Sequence, residues 1–196
     1  MPKAARGPRF EVRLARPNDR PRLEAWQRDL EEHLAAMLPD FASPRLPPSY
    51  GREYVAHSAK TVRKFGGFWL VAGLDGTPVG FLSAMVQPYP ERITRMESLP
   101  SLQGYVLDAF VVPRARGQGV GGALFKEAER LLRKLGCDSV HLNVNARNVQ
   151  ARGFYRSTGF RELGLRLWKP IAVRPRDWPE AGRRRRRVPK GPLRAT

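Results

Sequence analysis

The chain has 196 residues, 41% of them hydrophobic, which suits one soluble domain with a single substantial core. Its one cysteine, Cys137, excludes an internal disulfide framework, and no apolar run approaches membrane-spanning length, so a reducing cytoplasm without membrane contact is expected. The formal charge of +18, from 36 Lys and Arg against 18 Asp and Glu, favours polyanionic ligands without identifying one.

Residues 1–8 read as a flexible lead-in. Phe10 to Leu14 then alternates as a first strand. Pro17-Asn18-Asp19 supplies helix-start chemistry for a segment to about Leu38, whose Leu23, Trp26, Leu30, Leu34 and Met37 step by three and four. Pro39 to Pro48 is loop, and a second helix is expected from about Tyr50 to Lys64, ending at Gly66-Gly67. Phe68 to Ala72 and Val79 to Val86 flank Asp75-Gly76, the signature of a hairpin. Gln87 to Gln103 reads as a long Pro- and Arg-containing loop able to shape a pocket.

Val106 to Val112 reads as a strand that Pro113 stops. It leads into Arg116-Gly117-Gln118-Gly119-Val120-Gly121-Gly122. From Val120, apolar residues recur at Leu124, Ala128, Leu131 and Leu135, with Phe125 and Leu132 widening the stripe, and Gly136 stands at the helix end. Strand, glycine turn and helix together leave backbone N–H groups uncovered at a helix N-terminus, where phosphate binds. Glycines at 117, 119 and 121 are expected to keep side chains out of the way of that phosphate. Gly117, Gly119 and Gly122 also spell the dinucleotide fingerprint. However, the next strand, Ser139 to Asn145, ends in asparagine rather than an acid, and no second mononucleotide-binding half follows. A P-loop is excluded because no Gly-Lys-Ser/Thr follows the glycines.

Asn148 to Phe160 has the form N-x-x-A-x-x-F-Y-x-x-x-G-F. With Arg116 to Gly121 matching a Q/R-x-x-G-x-G pyrophosphate motif, the chain resembles the GCN5-related N-acetyltransferase (GNAT) superfamily, most strongly over Gly104 to Phe160. The resemblance implies an α/β (α+β) fold over residues 9–170, a mixed central sheet flanked by helices in the order β-α-α-β-β-β-α-β-α-β, with Arg161 to Trp168 as the last strand. It implies an N-acetyltransferase that uses acetyl-CoA as acyl donor and an amine as acceptor, attacked directly. A small amine is the first choice; a protein N-terminus or lysine, or a non-catalytic CoA-binding module acting on RNA, is the alternative. A homodimer is among the assemblies the resemblance allows.

By the same resemblance the pyrophosphate falls to Arg116, Gly117, Gln118, Gly119, Val120, Gly121 and Gly122, and the pantetheine arm to the backbone of Phe110, Val111 and Val112. Asn148 contacts the arm or caps its helix, and Tyr155 is the general acid or a packing aromatic. Asp108 is a base, a ligand for the cationic acceptor, or an ordinary edge carboxylate. Asp29, Glu31, Glu32 and His33 border the acceptor cleft or form a solvated face. His57 and His141 read as structural, and no set of residues has metal-ligand spacing, so no metal is expected. From Ile171 to Thr196 the composition turns to Arg, Pro and Gly. Arg183 to Arg187 in this tail is either a solvated segment with non-specific attraction to RNA and other polyanions or an RNA-targeting element.

Overall fold

A computed structural model describes residues 10–37, 46–88, 102–164 and 167. Its elements are β1 (Phe10–Leu14), a 3-10 turn (Pro17–Asp19), α1 (Arg20–Met37), α2 (Tyr50–Lys64), β2 (Phe68–Leu74), β3 (Thr77–Pro88), β4 (Leu102–Val111), a second 3-10 turn (Pro113–Ala115), α3 (Val120–Lys134), β5 (Ser139–Leu142) and α4 (Val149–Ser157). The first compact unit ends at Arg161. The 1–8 lead-in and the basic 171–196 tail lie outside the described residues.

The five strands form one mixed sheet in the order β1-β2-β3-β4-β5, antiparallel except for the β4–β5 pair. Both faces of its centre are covered, which explains why the β2 and β3 runs are mostly apolar rather than alternating. Leu70, Leu82, Ala84 and Val106 pack on one face with Val120, Leu124, Phe125, Ala128 and Leu132 of α3. Val71, Phe81 and Phe110 pack on the other with Leu23 and Trp26 of α1 and Val55 of α2. There Trp26 lies parallel to Phe81, at 6.3 Å and 7°.

Local chemistry sets the element ends. Asp19, only 5% exposed, accepts the Arg16 backbone N–H at 2.7 Å and both Arg13 guanidinium nitrogens at 2.7 and 2.9 Å. This ties the start of α1 to β1. The Asp75-Gly76 turn has φ values of 49° and 78°, the two positive angles that a tight hairpin of this twist requires.

Several expected boundaries move. β3 extends to Pro88 and β4 begins at Leu102, paired as Gln87↔Gln103 and Pro88↔Leu102, so both ends of the expected 87–103 loop are sheet. The remainder, 89–101, lies outside the described residues. β5 stops at Leu142 rather than Asn145. Arg161 to Gly164 and Leu167 are in no strand, so the expected last strand has no counterpart among the described residues. Gly153 sits mid-helix in open space, and nothing in the structure accounts for it.

Candidate functional site

β4 and β5 pair only from Gln103↔Ser139 to Val106↔Leu142, whereas β4 runs on to Val111 against β3. Leu107 is an extra residue in β4, because Ser83 pairs with Asp108 and Ala84 with Val106. Beyond this bulge one edge of β4 has no neighbouring strand among the described residues. The Val112 N–H donates to the Val79 carbonyl at 2.9 Å, which fixes the alternation. Phe110 therefore turns its peptide groups to β3, and Ala109 and Val111 turn theirs to the open edge. The Val111 carbonyl is taken by Arg116 Nε at 3.0 Å, leaving the Val111 N–H and both polar groups of Ala109.

The glycine turn lies at the end of that edge. Gly117 and Gly119 have φ of +73° and +88°, a region that side-chain-bearing residues rarely adopt. Gly119 is the N-cap of α3, whose first hydrogen bond runs from Ala123 N–H to the Gly119 carbonyl at 3.0 Å. The N–H groups of Val120, Gly121 and Gly122 consequently have no partner within the helix. Position 119 is expected to keep a side chain away from the phosphate, and the protein itself does not crowd it. A Cβ there would sit an ordinary 3.6 Å from Phe10, and backbone conformation is what requires glycine. A Cβ at 121 would approach the Phe154 ring to 3.2 Å, so that glycine seats α4 against α3.

α4 closes the opposite wall. Asn148 Oδ1 accepts the Ala151 N–H at 3.0 Å, the cap that starts the helix. Tyr155 packs edge-on against Phe125, Phe154 and Phe160, and burial raises its pKa, keeping the phenol protonated. Asp108 shares a strand face with Phe110 and points toward the helices α1 and α2. It accepts hydrogen bonds from Tyr54 Oη at 3.1 and 3.2 Å, Ser83 Oγ at 3.3 Å and Gln27 Nε2 at 3.4 Å. Desolvation raises its pKa despite these donors, and the charge of Glu31 raises it further.

One cavity of about 770 Å³ unites these features. Its lining includes Asp108, Phe110, Val111, Arg116, Gly117, Gly119, Val120, Gly121, Gly122, Asn148 and Tyr155, eleven of the thirteen residues singled out in the sequence. Val112 and Gln118 are not in the lining. The Val112 N–H is spent on β3, and the Gln118 side chain donates to the Arg114 carbonyl at 2.8 Å. Of the α1 residues singled out, Glu31 and His33 line the cavity, and Glu32 instead pairs with Arg28 at 3.2 Å. Ala109, Gln27, Tyr54 and Ser83 escaped the sequence reading. For Gln27 a signal existed: it is a polar residue on the face that Leu23, Trp26 and Leu30 make apolar.

A sheet whose fourth and fifth strands part beside a glycine turn defines the GNAT acetyltransferase class. The chain belongs to that family: the model of the Acetyltransferase (GNAT) family matches residues 24–160. Among relatives, it is 34% identical over 89 residues to an aminoglycoside N(6')-acetyltransferase type 1 of Klebsiella aerogenes, covering 45% of this chain and 55% of that protein. It is 32% identical over 110 residues to the enzyme of the same name from Stenotrophomonas maltophilia, covering 56% of this chain and 69% of that one. The chain thus spans between half and about two thirds of the length of these relatives. In fold it resembles an aminoglycoside N-acetyltransferase solved in complex with CoA, with a TM-score of 0.61 and 16% identity over 87% of this chain and 100% of that one.

Proposed function

We propose that this chain transfers an acetyl group from acetyl-CoA to the primary amine of a small molecule by direct attack. The observation that carries the reading is the bared β4 edge, where the Ala109 and Val111 peptide groups face a cavity bounded by the glycine turn, Asp108 and Tyr155. The donor's pyrophosphate would meet the N–H groups of Val120 to Gly122, and its pantetheine arm would hydrogen-bond along the β4 edge like a short added strand. The amine nitrogen attacks the thioester carbonyl, the carbon–sulfur bond breaks, and the departing thiolate takes a proton. A backbone N–H of Ala109 or Val111 suits the developing oxyanion. Asp108, held less acidic than an ordinary carboxyl by burial, accepts the proton that the attacking amine must lose. Tyr155, kept protonated, supplies one to the thiolate. Small amines are favoured over protein amines because the aminoglycoside enzymes among the relatives act on small molecules.

Release of free thiol from acetyl-CoA in the presence of a panel of amines tests the reaction. Tyr155→Phe keeps the ring and its packing, so it should preserve CoA affinity and lower the single-turnover rate by about 10²-fold. An undiminished rate would reassign Tyr155 to packing alone.

A further inference from the structure

At the α1 end of the cavity two carboxylates stand beside His33. Asp108 and Glu31 both line it. The side chains bonded to Asp108 are neutral: the Tyr54 and Ser83 hydroxyls and the Gln27 amide. Glu31 is hydrogen-bonded by the Tyr50 hydroxyl, so among the described residues neither carboxylate has a lysine or arginine bonded to it. Gln27 adds an independent sign. It is 1% exposed, and its Oε1, on the same amide whose nitrogen reaches Asp108, has no hydrogen-bond partner. A buried acceptor left empty costs free energy until a donor arrives. Two carboxylates that no described lysine or arginine bonds, with an unfilled carbonyl behind one of them, suit ammonium groups, each of which brings three N–H donors and a positive charge.

The spacing suggests how many. Tyr50 and Tyr54 stand four residues apart on α2, a rise of about 6 Å, with rings stacked at 5.7 Å. One phenol serves Glu31 and the other Asp108, so the two carboxylates are presented as a spaced pair. The geometry points to an acceptor that carries two cationic nitrogens, as an α,ω-diamine does: Asp108, backed by Gln27, receives the nitrogen to be acetylated, and Glu31 holds the second. Asp108 immediately precedes Ala109, so the nitrogen held there lies beside the bared edge. Glu31 is then a specificity-determining residue, and a monoamine leaves it unmatched. This inference rests on the acetyl-transfer reading.

The test compares 1,4-diaminobutane and 1,5-diaminopentane with butylamine and with N-acetyl-1,4-diaminobutane, which has the length but not the second charge. Two readouts are taken on the full chain: thiol release from acetyl-CoA, and calorimetric binding of each amine to the enzyme–CoA complex. Charge-assisted hydrogen bonds of this kind are worth about a tenfold to hundredfold preference. The diamines should therefore exceed both monocations by that factor in binding and in kcat/KM, and Glu31→Gln should bring the ratio close to one. Equal treatment of diamines and monoamines, or a preference that survives Glu31→Gln, overturns the inference while leaving the acetyl-transfer reading intact. Diamine binding that depends on Glu31 without any thiol release sustains the inference and defeats the transfer reading. Absence of both binding and turnover defeats both.

Discussion

Replacing Asp108 by Asn should move stability and activity in opposite directions. The carboxyl is desolvated, and its pKa lies above the ordinary value in the folded protein. The folded state therefore holds the proton more tightly than the unfolded chain. Stability falls as pH rises through the unfolded pKa, and continues to fall until the folded pKa is passed. Each unit of elevation costs about 1.4 kcal/mol at neutral pH. Asparagine has nearly the same shape and no charge to desolvate. Its oxygen can accept from Tyr54 and Ser83, and its NH2 can donate to the Gln27 Oε1 that is now without a partner once that amide turns over. Urea denaturation at pH 7 should show Asp108→Asn more stable than wild type, with the difference vanishing near pH 3, where the wild-type carboxyl is protonated in both states. The chemical step, having lost its proton acceptor, should slow by about 10²- to 10⁴-fold. The wild-type rate should rise with pH through the folded pKa of Asp108, and the variant should lack that limb. A variant as active as wild type, or one destabilised at pH 7 relative to pH 3, would refute the assignment of Asp108 as a buried, proton-accepting carboxyl.

Two further outcomes follow from geometry away from the reacting atoms. Gly119→Ala should lose about 1–2 kcal/mol of stability, because Ala strains at the φ of +88° while meeting only an ordinary contact with Phe10. Acetyl-CoA titration should show weakened binding, whereas Gly122→Ala, in open space within α3, should raise the melting temperature. The Arg13 guanidinium holds the Asp19 carboxyl down to about 2, below its unfolded value. The pair thus contributes about 2 kcal/mol that is complete above about pH 4 and lost as pH falls toward 2. Asp19→Asn should be less stable by that amount at pH 7 and indistinguishable from wild type near pH 2, as read by denaturant midpoints.

Most of the fold was legible where the signal is local. The α2 boundaries, Tyr50 and Lys64, and the Asp-Gly hairpin emerged as expected, because caps, turn residues and the 3.6-residue period act within a few positions. What escaped depends on pairing between distant segments. β4 begins four residues early because its N-terminal end is held by Gln87, Val86 and, on the other side, Ser139 and Val140. β5 ends early because β4 diverges from it, a fact that no residue of Ser139 to Asn145 encodes alone. The cavity lining was largely readable because the glycine turn and the Asn148-to-Phe160 segment carry their own pattern. That Ala109, rather than Phe110 or Val112, joins Val111 at the open edge was not, since the direction of a strand's amides depends on which neighbour it bonds. The partners of Asp108 come from α1, α2 and β3, as far as 81 residues away in sequence.

The extra residue at Leu107 acts as a phase change in β4. Before it, Gly104 and Val106 look toward α3: a Cβ at 104 would meet Leu132 at 2.5 Å, and Val106 packs with that helix. After it, Ala109 and Val111 look that way, and the even-numbered residues Asp108 and Phe110 face α1 and α2. One strand thereby anchors the α3 core with its first half and delivers a carboxylate to the opposite layer with its second. Deleting Leu107 would leave both halves facing as they do, whereas regular pairing with all the residues kept would turn the C-terminal half inside out. Among relatives, the counterpart of Asp108 should accordingly be sought by strand face rather than by alignment column. An acid one position earlier in an unbulged strand would occupy the same place in space.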